Sequence, residues 1–161
     1  MAKDLLEGKT VLIVDDERDI LETLEDLLSM CKVVKASTFE EAKRALETQA
    51  FDIAVLDIMG VDGYKLLDIA RQRKVIPVML TAHALSTDNT IRSYKRGAAL
   101  YVPKDKMANI VEYLNDVLHA VEAGKSTWWR WLDKFEVYYN KKFEANWKNK
   151  DENFWRSFPY V

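Results

Sequence analysis

From Lys9 to Glu122, short apolar runs alternate with segments whose apolar residues recur at helical spacing. The runs are Val11–Val14, a Val33-Val34 pair, Ile53–Leu56, Val78–Leu80 and Leu100–Val102. Apolar runs without strict alternation suit strands covered on both faces. Between them Ile20, Leu24, Leu27 and Leu28 form one helical stripe. Met107, Ile110, Val111, Leu114, Val117, Leu118 and Val121 form a longer one, predicting a continuous helix over four turns. Ser37 or Thr38 can cap the second helix, with Glu40 or Glu41 three residues on. Gly97 follows the basic pair Lys95-Arg96, as expected just past a helix end. Pro77 opens a strand, where its missing N–H does least harm. Five strands alternating with five helices predict an α/β fold, a five-stranded parallel sheet doubly wound by helices on both faces.

Composition divides the chain in two. Residues 1–122 hold 16 basic and 21 acidic side chains, whereas residues 123–161 hold 8 and 5. All five tryptophans lie beyond Gly124. These shifts set the expected units at 8–122 and 123–161. The overall charge of −2 argues against a general polyanion-binding surface. A single cysteine, Cys31, allows no internal disulfide, and no long apolar stretch marks a leader or a membrane span. The expected location is therefore the cytoplasm.

Chemistry enters at the strand ends. Asp15 and Asp16 close the first run and Asp57 closes the third, so a parallel sheet would gather three carboxylates at one edge. Ligands of such sheets bind outside the carboxyl ends of the strands, where strand order reverses. Clustered carboxylates repel one another, raise their own pKa values and invite a divalent cation. Thr81 and Lys104 end the fourth and fifth runs in the same way. Taken alone, an acidic pair at a strand–helix junction can be a helix cap, and a lone Thr or Lys can be merely solvated. It is the five together that point to a site.

The segments Val-Asp-Asp-Glu at 14–17, Leu-Asp-Ile at 56–58, Leu-Thr-Ala at 80–82 and Tyr-Val-Pro-Lys at 101–104 resemble the response-regulator receiver domain of two-component signalling. The resemblance covers roughly residues 8–122 and implies the flavodoxin-like, chemotaxis-regulator-like version of the predicted fold. It implies that Asp57 accepts a phosphoryl group from a histidine kinase, a phosphotransfer protein or a small phosphodonor. It further implies that Asp15, Asp16, Asp57 and the backbone carbonyl of Met59 hold Mg²⁺, and that Lys104 pairs with a phosphoryl oxygen. Thr81 and Tyr101 would form the switch: Thr81 moves toward the phosphate and Tyr101 turns inward behind it. The changed surface would lie on the fourth helix, fifth strand and fifth helix. Such a protein is a phospho-accepting signalling molecule with self-phosphotransfer and autodephosphorylation only, not an enzyme acting on other substrates.

Departures from the family pattern are local. The loop Ile-Met-Gly-Val-Asp-Gly after Asp57 is about two residues shorter than usual and lacks its proline. Asp105, not proline, follows Lys104, so no cis peptide is expected there. His83 stands two residues beyond Thr81 and reads as a solvated loop residue. The fourth helix, around Thr87–Arg96, offers only Ile91 and Tyr94 as apolar anchors. The rival reading is a degenerate receiver, its metal geometry spoiled by the short loop, serving as a constitutive interaction module through the aromatic tail. A hydrolase using the same nucleophile would want an acid two residues beyond it, where Met59 stands.

The tail is the unfamiliar part. Twelve of residues 125–161 are aromatic, and Trp128, Trp131, Phe135, Tyr138 and Trp147 fall on one helical stripe. An aromatic face of this kind is expected to pack on its own receiver or to make a homodimer, either through the tail or through the fourth-helix, fifth-strand, fifth-helix face. A membrane surface ranks last because acids are interspersed. No recognition-helix pattern for DNA is present.

Overall fold

The computed structural model describes residues 4–81 and 87–125. Five strands, β1 (Thr10–Val14), β2 (Lys32–Ala36), β3 (Ile53–Asp57), β4 (Ile76–Thr81) and β5 (Leu100–Pro103), alternate with helices. The helices are α1 (Arg18–Leu27), α2 (Phe39–Thr48), α3 (Gly63–Gln72), α4 (Thr87–Lys95) and α5 (Ile110–Glu122). All strands are parallel, in the order β2-β1-β3-β4-β5. Strand order reverses at β1, so β1 and β3 flank the crevice where such sheets bind ligands.

The apolar runs form the sheet as expected, and their differences follow from position. β3 is central and all five of its residues are buried. At the edge, β2 exposes Lys32 and Lys35 and half-buries Val33 and Val34. Lysines on an edge strand discourage further pairing. Pro77 is the second residue of β4, not the first, and lies opposite Ala54 of β3. It lacks a donor, but its carbonyl accepts from Ala99 N–H at 2.8 Å.

The helices cover both faces. In α1, Leu21 and Leu24 are the buried residues, while Ile20 and Leu27 are only half-buried and Leu28 is buried just past the helix end. The cap of α2 is Thr38, whose Oγ1 accepts from Glu41 N–H at 3.1 Å. Ser37 and Thr38 hydroxyls both donate to the Glu41 carboxylate, at 2.9 and 3.1 Å, so Glu41 rather than Glu40 completes the cap. α4 ends on Gly97 (φ +90°), where Ala98 N–H reaches Ser93 O at 3.0 Å. That bond closes the left-handed helix stop glycine favours.

One element differs from its predicted form. The expected four-turn helix begins with a 3-10 turn over Lys104–Asn109, so Met107 precedes α5 proper. α5 then buries Ile110, Tyr113, Leu114 and Val117, with Val121 at its exposed end. The expected apolar anchors of α4, Ile91 and Tyr94, are only half-buried. Its fully buried residues are the polar Thr90 and Ser93. Among the described residues, no helix is long and apolar enough to cross a membrane. His83 and the tail stripe beyond Lys125 lie outside the described residues.

Candidate phosphoryl-acceptor site

β1, β3 and β5 deliver their acids and lysine to one end of the sheet. Lys104, one residue past β5, reaches back so that its Nζ lies 2.7 Å from Asp15 Oδ2 and 3.6 Å from Asp57 Oδ1. Asp15 is wholly buried and Asp57 is 3% exposed, so neither carboxylate shares much of its charge with water. Thr81 ends β4 and is also buried, one residue past Leu80, which lies opposite Asp57. The expected convergence of strand-end residues is therefore present in space.

Glu17, which carried no expected role, also belongs to the cluster. Its carboxylate is 3.5 Å from Lys104 Nζ, and its ligand oxygen lies within 4.8 Å of those of Asp15 and Asp16. Its position as last residue of Val-Asp-Asp-Glu was the available signal. Asp15 fixes the turn into α1 by accepting from Glu17 N–H at 2.8 Å through Oδ1.

The electrostatics follow from burial. Desolvation pushes the Asp57 carboxyl up to about 7; the Asp15 charge adds to this, Lys104 opposes it, Asp16 adds, and a hydrogen bond from Met59 N–H opposes. Asp15 is raised for the same first reason, desolvation, with the Lys104 ammonium and the Glu17 N–H opposing. For Lys104, burial works to lower the pKa, but Asp15, Asp57 and Glu17 outweigh it and the net direction is up. The ammonium therefore stays charged, holding carboxylates that would otherwise repel.

The loop after Asp57 makes this geometry from five residues, 58–62. Gly63 returns against the strand so closely that a Cβ there would collide with the Asp57 carbonyl oxygen and sit 2.8 Å from Ile58 Cα. Gly60 (φ +86°) lies under Asp16, whose Cγ would be 2.7 Å from an added Cβ. Asp62 takes the left-handed conformation before α3. Met59 is left 72% exposed at the rim. The peptide after Lys104 is not cis.

Tyr101 sits on β5 opposite Met79 and is fully buried.

The donor set suits Mg²⁺. Asp15, Asp16 and Asp57 offer hard oxygens, and Asp15 Oδ2, though close to Lys104, completes no well-aligned hydrogen bond among the described residues. An oxygen so placed has bonding capacity left for a cation.

Fold and site together define a doubly wound α/β protein with an acid–lysine cluster at its switch point. The response regulator receiver domain model matches residues 11–115, and the chain belongs to that family. A two-component response regulator of Arabidopsis thaliana is 35% identical over 104 residues, 60% of this chain but 16% of the relative. A probable transcriptional regulator of Guillardia theta is 36% identical over 105 residues, 63% of this chain and 41% of the relative. The chain thus spans well under half the length of these curated relatives. Among solved structures, a CheY-like receiver domain from Methanospirillum hungatei superposes with a TM-score of 0.59 at 28% identity, covering 70% of this chain and 98% of that one. The receiver domain of a Francisella response regulator gives 0.58 at 27%, covering 67% and 97%. Receiver domains are phospho-accepting parts of response regulators; they gain and lose a phosphoryl group on themselves and turn over no separate substrate.

Proposed function

We propose that Asp57 is the phosphoryl acceptor of a two-component pathway, charged by a histidine kinase or phosphotransfer protein. The observation that carries this reading is the buried lysine, Nζ 2.7 Å from Asp15 and 3.6 Å from Asp57, at the crevice of the sheet. In the reaction a carboxylate oxygen of Asp57 attacks phosphorus, the P–N bond of the donor phosphohistidine breaks, and the imidazole keeps the electron pair and takes a proton. Asp15, Asp16, Asp57 and the Met59 carbonyl would hold Mg²⁺, which supplies positive charge against the repulsion between phosphoryl oxygens and carboxylates. Lys104 is already in place to meet a phosphoryl oxygen as a point charge. Its release from Asp15 and Asp57 would be the first local change. Thr81, at the end of β4, would donate its hydroxyl to another oxygen. With Tyr101 beside it in the sheet, it would carry the change to α4, β5 and α5, altering a partner-binding or self-association surface.

We place the receiver unit at 8–122 and assign the tail, 123–161, to assembly or output. Most of each curated relative lies outside the matched stretch, so no output of theirs is carried over. A second reading, a constitutive interaction module, draws on one observation: Tyr101 of β5 is fully buried.

Acetyl phosphate labelling of the full chain separates the two. The acceptor reading expects one phosphoryl group per chain, labile to hydroxylamine, dependent on Mg²⁺ and lost in Asp57→Asn. Undiminished label in Asp57→Asn, or none in the native chain with Mg²⁺ present, would sink it. Light scattering before and after labelling then reads whether the chain self-associates.

A further inference from the structure

A cleft of about 380 Å³ lies between the loop after Asp57 and α4, and its lining changes chemistry from one end to the other. Ile58 and Met59 form the apolar end. Lys65, Arg92 and Arg96 stand with Tyr64 and Asn89 toward α3 and α4. Tyr64 organises the basic end. Its hydroxyl meets Ser93 Oγ at 3.1 Å and donates to Asn89 O at 3.1 Å, fixing the ring between the helices. The Arg92 guanidinium lies 4.2 Å from the centre of that ring. Stacking holds the guanidinium plane while leaving its N–H groups free to donate outward. Arg92 has no carboxylate partner among the described residues, whereas Arg96 is paired with Asp68. Lys65 has only a loose 3.9 Å contact with Asp62, and its side chain is 71% exposed.

The cleft is basic within an acidic domain. Its lining carries Lys65, Arg92 and Arg96 against one acid, Asp62, while residues 1–122 as a whole carry 16 basic and 21 acidic side chains. We propose that this cleft docks an acidic segment of a partner protein, with carboxylates on Arg92 and Lys65 and an apolar side chain against Met59. Charge complementarity selects this occupant. The chain's own tail, for all its aromatic anchors, carries 8 basic and 5 acidic residues and would be repelled. A long polyanion would meet Asp62 in the lining and Asp68 beside Arg96, in a domain whose overall charge is negative. A short acidic segment with one apolar anchor matches both ends, the mode by which arginine clusters read acidic motifs. The docking stands whether or not Asp57 accepts phosphate, although Met59 belongs to both places.

Fluorescence anisotropy of the unphosphorylated full chain with a dye-labelled peptide of glutamates around a single phenylalanine tests it. Saturable binding is expected, weakening as salt rises and about tenfold or more in the Lys65→Glu, Arg92→Glu double variant. Lys65→Glu alone, at an exposed side chain with no close partner, keeps the fold and should weaken binding severalfold. Met59→Ser should weaken it while leaving the salt dependence unchanged. Equal affinity for a peptide with lysines in place of the glutamates overturns the proposal. So does binding indifferent to Lys65→Glu, or none below about 1 mM at low salt, a limit near −4 kcal/mol. Tighter binding to single-stranded DNA or phosphatidylserine vesicles of matched charge would assign the patch to another class of partner. Concentration-dependent dimerisation abolished by Lys65→Glu would make the occupant a second copy and equally overturn the partner assignment.

Discussion

Removing the Asp57 carboxylate should make the metal-free protein more stable. Asp57 is 3% exposed, and its carboxyl is moved from 3.8 up to about 7, chiefly by desolvation and then by the Asp15 charge. At roughly 1.4 kcal/mol per pH unit, that displacement corresponds to a ceiling of about 4 kcal/mol. Relaxation around the charge trims this to about 2 kcal/mol. The sign follows from which state holds the proton. Below pH 3.8 the group is protonated folded and unfolded, and there is no penalty. Between there and about 7 the unfolded chain ionises while the folded one does not, so stability falls as pH rises, and above 7 the whole penalty is present. Asp57→Asn keeps the shape and an acceptor for Met59 N–H but cannot ionise. Urea unfolding in EDTA should therefore show the variant about 1–3 kcal/mol more stable at pH 8, with the two proteins converging near pH 4. Mg²⁺ should narrow the gap at pH 8 by stabilising only the native chain. A gap of the same size at both pH values, or a variant less stable at pH 8, would refute the reasoning.

Two other substitutions probe how the site is built. Gly63→Ala must push Asp57 and Ile58 backbone aside, so it should cost about 3 kcal/mol in urea unfolding and impair labelling of Asp57. Tyr64→Phe removes the contacts to Ser93 and Asn89 while keeping the ring under Arg92; hydrogen exchange in α4 should quicken, with a global loss of about 1 kcal/mol.

The sheet was legible because its strands are apolar runs bounded by polar residues, and burial on both faces leaves few other fates for Ile53–Leu56. The acid–lysine cluster was legible because a parallel sheet sends every strand end to the same edge. What escaped depended on partners distant in sequence. Nothing local marks Leu21 rather than Ile20 as the buried residue of α1, since the choice is made by where β1 and α5 lie. The packing face of α4 is Thr90 and Ser93 because Tyr64 crosses from α3 to satisfy Ser93, a contact spanning 29 positions. A hydrophobic pattern cannot reveal a helix anchored by a hydroxyl. Glu17 was missed for a related reason: a solvated helix-start acid and a member of a buried cluster read alike until Lys104 arrives from another strand.

The loop after Asp57 ties several of these features together. Five residues, 58–62, lead from β3 to α3, so the chain must turn at once, and only a residue without Cβ can return as close to the Asp57 carbonyl as Gly63 does. The same economy brings Gly60 under Asp16, so the loop packs directly against that carboxylate. It also leaves Met59 exposed, its backbone bonded to the acceptor and its side chain facing the cleft beside α4. A loop drawn this tight has little freedom to absorb a change at Asp57 locally. Tyr64, one residue past Gly63, ties the end of this loop to α4 through its hydroxyl. Met59 and Tyr64 thereby connect Asp57 to α4 through contacts that involve neither Thr81 nor Tyr101.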